Sequence, residues 1–212
     1  MLKATVGGGG DRQIPEAGMH AARCVAVLDL GTHVDDRFKN DKGKPSRRHL
    51  VQIQWELPGQ MMEYEGEQKP MMATKRYNLS VNEKATLRKD LESWYGKTFD
   101  SKELEAKGFD VEKLLGRPAL LNLTHSEDGK YANVTSVNPP MKGVEQAPQI
   151  NASRFFDLTA PSPMVWATLS KNTREYISEC EEVKAGEAVL PGDTPAEPKP
   201  EKFEATDQDV PF

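Results

Sequence analysis

Residues 50–57 read LVQIQWEL, with Val51, Ile53, Trp55 and Leu57 on one side and Gln52, Gln54 and Glu56 on the other. A period of two places an extended strand with one face in a core and one face out. Upstream, residues 19–34 hold Cys24, Val25, Val27, Leu28 and Leu30, apolar on both faces. Such a strand bends and serves two layers of sheet, with Gly31 as a kink or an end. Residues 35–49, DDRFKNDKGKPSRRH, read as a polar loop whose turns fall at Gly43 and Pro45. Downstream, residues 58–74 read as a long loop holding Pro58, Gly59, Gly66, Pro70 and the methionines Met61, Met62, Met71 and Met72. That loop either folds a short extra hairpin through Met62 to Glu65 or covers one end of the body. Residues 75–81 form a third strand, with Tyr77, Leu79 and Val81 inward and Arg76, Asn78 and Ser80 outward.

Ser80 and Glu83 then make a capping-box pattern for a helix with the apolar stripe Leu87, Leu91, Trp94 and Tyr95, stopped by Gly96. Asp100 or Ser101 starts a second short helix, and Asp110 a third. Residues 118–126 and 130–138 are two further strands joined through Asp128 and Gly129, a tight-hairpin pair. Three strands, helices and two strands give a mainly β fold with a helical insert, the order of a five-stranded OB-fold barrel with its helix between strands three and four. That domain occupies residues 19–140. Residues 1–18 are a flexible glycine-rich arm containing Gly7 to Gly10. Residues 141–184 are an irregular wrap, docked by Phe155, Phe156 and Leu158, and a helical extension with start signals at Ser162–Pro163 and Ser170. From residue 185 prolines, acids and small residues predict a disordered acidic tail.

The chain has 212 residues, of which 37% are apolar, and a mean hydropathy of −0.67. No apolar run reaches membrane-spanning length, and the first residues lack the apolar stretch of a signal peptide. Cys24 and Cys180 lack metal-site spacing, and His20, His33, His49 and His125 are scattered. No metal or cofactor is therefore expected. Residues 186–212 hold seven acids and two bases, which accounts for the whole net charge of −5. The body is neutral, so the acidic balance of the chain does not exclude a polyanionic ligand.

In an OB barrel, oligonucleotides meet the loops joining strands one to two and four to five. The first of these carries Arg37, Lys39, Lys42, Lys44, Arg47 and Arg48, with Phe38 interleaved. Cations and an aromatic along one groove suit a single strand, whose phosphates and base faces they meet. A solvated hairpin tip with Phe38 folded back on the body is the alternative. Arg76 and Tyr131, on outward strand faces, join the candidates, with Lys75 as a weaker addition. The loop Ser126–Lys130 carries Glu127 and Asp128 and departs from the pattern.

The chain ends DQDVPF. Asp207, Asp209, Val210, Pro211 and Phe212 offer an apolar ring, a stiff backbone and carboxylates for a partner's pocket with a basic rim. This ending resembles the acidic tip of bacterial single-stranded-DNA-binding proteins, which closes on Asp, Ile, Pro, Phe. The strand ending LDLGT, the QWEL and YNLS strands, LRKDLESWYGK, the FD..KLLG segment and the closing hairpin resemble bacteriophage-encoded single-stranded-DNA-binding proteins over residues 7–140. The resemblance implies single-strand binding in phage DNA replication and recombination, in the cytoplasm of the host bacterium. It also implies recruitment of replication, recombination and repair proteins through the tip, and no catalytic residues. An adaptor or decoy that uses the tip without DNA is the alternative. A metal-dependent nuclease built on Asp29, Asp35 and Asp36 has no supporting motif. Oligomeric state stays open, a homo-oligomer included.

Overall fold

The computed structural model describes residues 13–39, 43–64, 66–143, 146 and 148–192, with backbone alone at 36–38. Six strands, β1 (Gly18–Lys39), β2 (Pro45–Tyr64), β3 (Glu67–Asn78), β4 (Pro118–His125), β5 (Ala132–Asn138) and β6 (Arg154–Phe156), share one sheet. Helices α1 (Thr86–Tyr95) and α2 (Ser101–Lys107) and a 3-10 turn (Val111–Leu114) lie between β3 and β4; α3 (Pro163–Thr168), α4 (Lys171–Ser178) and α5 (Glu181–Lys184) follow β6. The protein is therefore mainly β with few helices. None of the helices among the described residues is long and apolar enough to cross a membrane.

The inward half of the alternation in LVQIQWEL is as expected: Val51, Ile53, Trp55 and Leu57 are buried in the main core with Cys24, Val27, Tyr77, Leu87, Leu91 and Trp94, whereas Gln52 and Glu56 of the other half are buried too. Strand β1 is buried on both faces. Register shifts at Cys24/Ala26 and Asp29/Gly31 turn its side chains, and Ala26, Leu28 and Leu30 join a second cluster with Phe156, Leu158, Leu169, Ile177, Cys180 and Leu190. A bulge adds one residue to one strand and so swaps the faces beyond it. Residues 154–190 are thus the second layer that the two-sided apolar pattern of β1 demands. Its first element is a strand, β6, parallel to β1 at Ala26–Leu28. The docked chain runs past residue 185, where the tail was expected to begin, because Leu190 finds a buried apolar site.

Three expectations are corrected. Residues 35–49 and 58–74 are mostly strand: β1 and β2 pair out to Lys39↔Pro45, and β2 and β3 pair out to Tyr64↔Glu67. Pro58 and Gly59 are absorbed by a register shift between Leu57 and Met61, where proline removes no needed donor. The sheet, ordered β3-β2-β1-β4-β5, is open rather than a closed barrel. Helix α1 bridges the β3/β5 seam in place of a ladder. Its Asp90 accepts from Lys75 and Tyr77 of β3 (2.7 and 2.8 Å), and its Ser93 donates to Asn138 of β5 (3.2 Å). Finally, the Ser80–Glu83 capping box does not form. The helix starts at Thr86 without a side-chain cap, Ser80 accepts from the Asn82 N–H, and Glu83 accepts from Ser101. Asp100, Asp110, Ser162 and Ser170 do cap their helices. Gly96 ends α1 at φ 63°, a left-handed geometry that favours glycine.

Candidate nucleic-acid interface

The sequence candidates separate into three places. Lys39, Lys44, Arg47 and Arg48 sit on the ribbon made by the far ends of β1 and β2. Opposed residues share a face in an antiparallel pair, so His33 lies with Arg48 and Val34 with Arg47. Lys39, Lys44 and Arg47 are exposed and Arg48 is half-buried. Arg47 donates from Nε and Nη2 to one Glu181 oxygen (2.8 and 2.6 Å), and the Arg48 Nε donates to Ser46 at 3.2 Å. The side chains of Arg37 and Phe38, and Lys42, lie outside the described residues, as do Asp207, Asp209, Val210, Pro211 and Phe212.

At the base of this ribbon, Arg76 donates to Gln52 (3.0 Å) and lies 4.3 Å from the ring centroid of Tyr176, which stacks on His33 at 4.1 Å. The outward face of β2 is therefore already occupied at this point. Gln52 is buried, and Gln54 accepts from Arg154 at 2.8 Å. Neither glutamine is open to a base, as the strand alternation alone suggested. Lys75 points the other way, sharing with Tyr77 the face that meets Asp90. Its ammonium belongs to the seam between β3 and α1.

Tyr131 lies elsewhere again. Its ring is 57% exposed and lines a cleft of about 790 Å³ with Met62, Tyr64, Met71, Met72 and Lys130. The cleft lies beneath the outer end of the β2–β3 ribbon and, among the described residues, takes nothing from 34–48. Tyr64 and Lys69 were missed because residues 58–74 read as loop. The signal lay in the sequence: MMEY and EQKPMM flank Glu65–Gly66, and Gly66 turns the ribbon at φ 79°.

Helix α5 is clasped to the basic ribbon through His49. Its Nε2 meets Asp29 at 2.7 Å, and its Nδ1 lies 3.6 Å from Glu182 and 3.3 Å from the Thr32 hydroxyl. Glu182 accepts from the Thr32 N–H at 2.8 Å. Asp29 also accepts from the Gly31 N–H (2.9 Å), so it serves this clasp rather than a metal site. The Asp29 hydrogen bond, against some desolvation, raises the His49 pKa above its ordinary 6.5. Desolvation would raise Glu182, but the Thr32 hydrogen bonds prevail and hold it down to about 2. Stability from a raised histidine is complete below its unfolded pKa and is lost as pH rises through the folded one. Stability from a depressed carboxylate is present above its unfolded value and lost as pH falls through the folded one. The clasp is thus firmest between the ordinary values 4.5 and 6.5. Urea unfolding should show a lower midpoint at pH 8 than at pH 6, and His49→Asn should remove most of that difference. An equal pH dependence in both proteins would place its source outside the clasp.

The chain matches no protein-family model, no curated protein and no solved structure.

Proposed function

We propose that the protein binds single-stranded DNA during replication and recombination, through an OB-type sheet opened at the β3/β5 seam. The observation that carries this reading is the β1–β2 ribbon. Both of its limbs bring cations to one projecting finger, Lys39 from β1 and Lys44, Arg47 and Arg48 from around the start of β2. The strand order also favours it, since an OB sheet offers its ligand the connection between strands one and two. Arg47 is available despite its contact with Glu181. An exposed ion pair is worth at most ~1 kcal/mol, so a phosphate can replace the carboxylate at little cost.

In this reading the tip residues Asp207 to Phe212 bring replication and repair proteins to the coated strand, in the bacterial cytoplasm. Chemistry supports that role: the Phe212 ring and the Asp207 and Asp209 carboxylates suit an apolar pocket with a basic rim. The test is binding of labelled oligo-dT and of duplex over a range of salt, using the full chain and a chain ending at Ala205. If about four phosphates are neutralised, the log–log salt slope for the single strand should be near −3. Duplex should bind more weakly, and the shorter chain should bind the single strand at least as well. A flat salt response or a preference for duplex overturns the proposal.

A further inference from the structure

We infer that the cleft under the β2–β3 ribbon is a nucleobase site, in which Tyr64 and Tyr131 stack unpaired bases of a single strand. This rests on the proposed function and moves base recognition away from the basic ribbon. Tyr64 and Tyr131 are 52% and 57% exposed. Both line the same cleft of about 790 Å³. Large rings at that exposure, in one concavity, form a platform rather than part of the core.

Tyr64, Met62 and Met72 also line an adjoining cavity of about 510 Å³, bounded by Lys69, Arg154 and Met164. The two cavities share Met62, Tyr64 and Met72, so a strand stacked in one can continue into the other. Each has the volume of a small-molecule site, roughly 300–1,000 Å³.

Charge selects the occupant. Among the described residues, the combined lining contains Lys69, Lys130 and Arg154 and no carboxylate, in a chain whose net charge is −5. Lys69 lies over the Tyr64 ring, 5.2 Å from its centroid, and also meets Glu67 at 3.1 Å. Lys130 meets Asp128 at 3.4 Å. Both ion pairs are exposed, so a phosphate can displace either acid at small cost. Thr74 and Asn133 in the larger cavity and Asn151 and Ser153 in the smaller give donors and acceptors for base edges. An apolar peptide would use the methionines, which adapt to many partners, but would bring no anion to Lys69, Lys130 and Arg154 in exchange for their present partners.

The backbone that carries the rings is also held in place. The Tyr131 N–H donates to the Ser126 hydroxyl (3.1 Å), and that hydroxyl donates to Asp128 (2.6 Å). Tyr64 is the last residue of β2, paired with Glu67. A stacked base therefore meets aromatic faces whose backbone is fixed before binding, which limits the entropy lost.

The experiment compares oligo-dT with an abasic oligomer of equal length, on the unsubstituted protein and on the Tyr64→Ala/Tyr131→Ala protein. Exposed rings can be removed without opening the core, and circular dichroism checks the fold. Stacking is worth ~1–3 kcal/mol per base, so oligo-dT should lose about fivefold or more in affinity for each ring removed. The abasic oligomer should bind both proteins alike. Photo-crosslinks from bromodeoxyuridine should fall on residues 62–72 and 130–133. Failure of the unsubstituted protein to bind oligo-dT overturns the function itself. An undiminished preference for oligo-dT in the double variant, or crosslinks confined to residues 34–48, overturns the nucleobase site alone. So does a double variant that keeps its DNA affinity and loses only capture of an apolar peptide.

Discussion

The Gly31→Ala protein is expected to lose about 2–4 kcal/mol of stability and to release its C-terminal layer first. Gly31 lies in β1 at φ +74°, where an L-residue is strained, and a Cβ there would stand 2.6 Å from both the Cβ and Sγ of Cys180 and 3.0 Å from Glu182 Oε2. Left-handed strain alone costs roughly 1–2 kcal/mol. The overlap with Cys180 adds to it, because Cys180 is itself fully buried in the second cluster and cannot give way without moving α5. That shift would pull Glu182 from the Thr32 N–H and from His49. Gly129 supplies the control. It has φ +67° and no atom within 4 Å of an added Cβ, so Gly129→Ala reports backbone strain alone. The two proteins should differ by 1 kcal/mol or more in urea unfolding, within the roughly 1–3 kcal/mol that overpacking costs. Limited proteolysis should cut Gly31→Ala between residues 157 and 192 before the sheet. Equal losses in the two proteins would show that α5 does not pack on β1 as closely as these distances require.

The same contact marks how far local sequence could be read. The alternation of Val51, Ile53, Trp55 and Leu57, the caps at Asp100, Asp110, Ser162 and Ser170, and the stop at Gly96 are local properties, and each was legible. The two-sided apolar character of β1 was legible too, but its cover was not. Phe156 reaches Leu28 from far along the chain as a parallel partner, and periodicity says nothing about partners that distant. Closure of the barrel was read from strand order, yet the seam is bridged by Asp90 and Ser93 of α1, which lie outside the apolar stripe Leu87, Leu91, Trp94 and Tyr95. For the interface, the basic residues were visible because charge is written in composition. The Tyr64 cleft was hidden because Pro58, Gly59 and Pro70 disguised a bulged ribbon as a loop.

Glu56→Ala is expected to cost about 2–4 kcal/mol, the loss of a buried charged acceptor that holds several neutral donors. In the alternation of β2, Glu56 falls with Gln52 and Gln54 on the face read as outward. It is instead fully buried. One of its oxygens accepts from the Ile150 N–H (2.7 Å), and the other accepts from the Asn151 N–H and side-chain amide (both 2.8 Å). A carboxylate out of water is tolerated only when it is hydrogen-bonded in this way. Removing it takes the acceptor from the Ile150 and Asn151 N–H groups and from the Asn151 amide, and a donor left unpaired costs about 1–3 kcal/mol. Glu56→Gln keeps the shape and one acceptor oxygen but sets its amide against donors, so it should recover only part of the loss. Amide exchange at Ile150 and Asn151 should quicken in both proteins, most in Glu56→Ala. These residues lead directly into β6, and Asn151 to Arg154 form one wall of the smaller cavity beside Tyr64. Loosening them should therefore weaken oligo-dT binding as well as stability if the nucleobase site is used. Glu56→Ala that unfolds within about 1 kcal/mol of the unsubstituted protein, below the cost of one orphaned donor, would mean that the 148–151 segment is not anchored through this carboxylate. The apolar contacts of Phe156 and Leu158 would then have to hold the second layer by themselves.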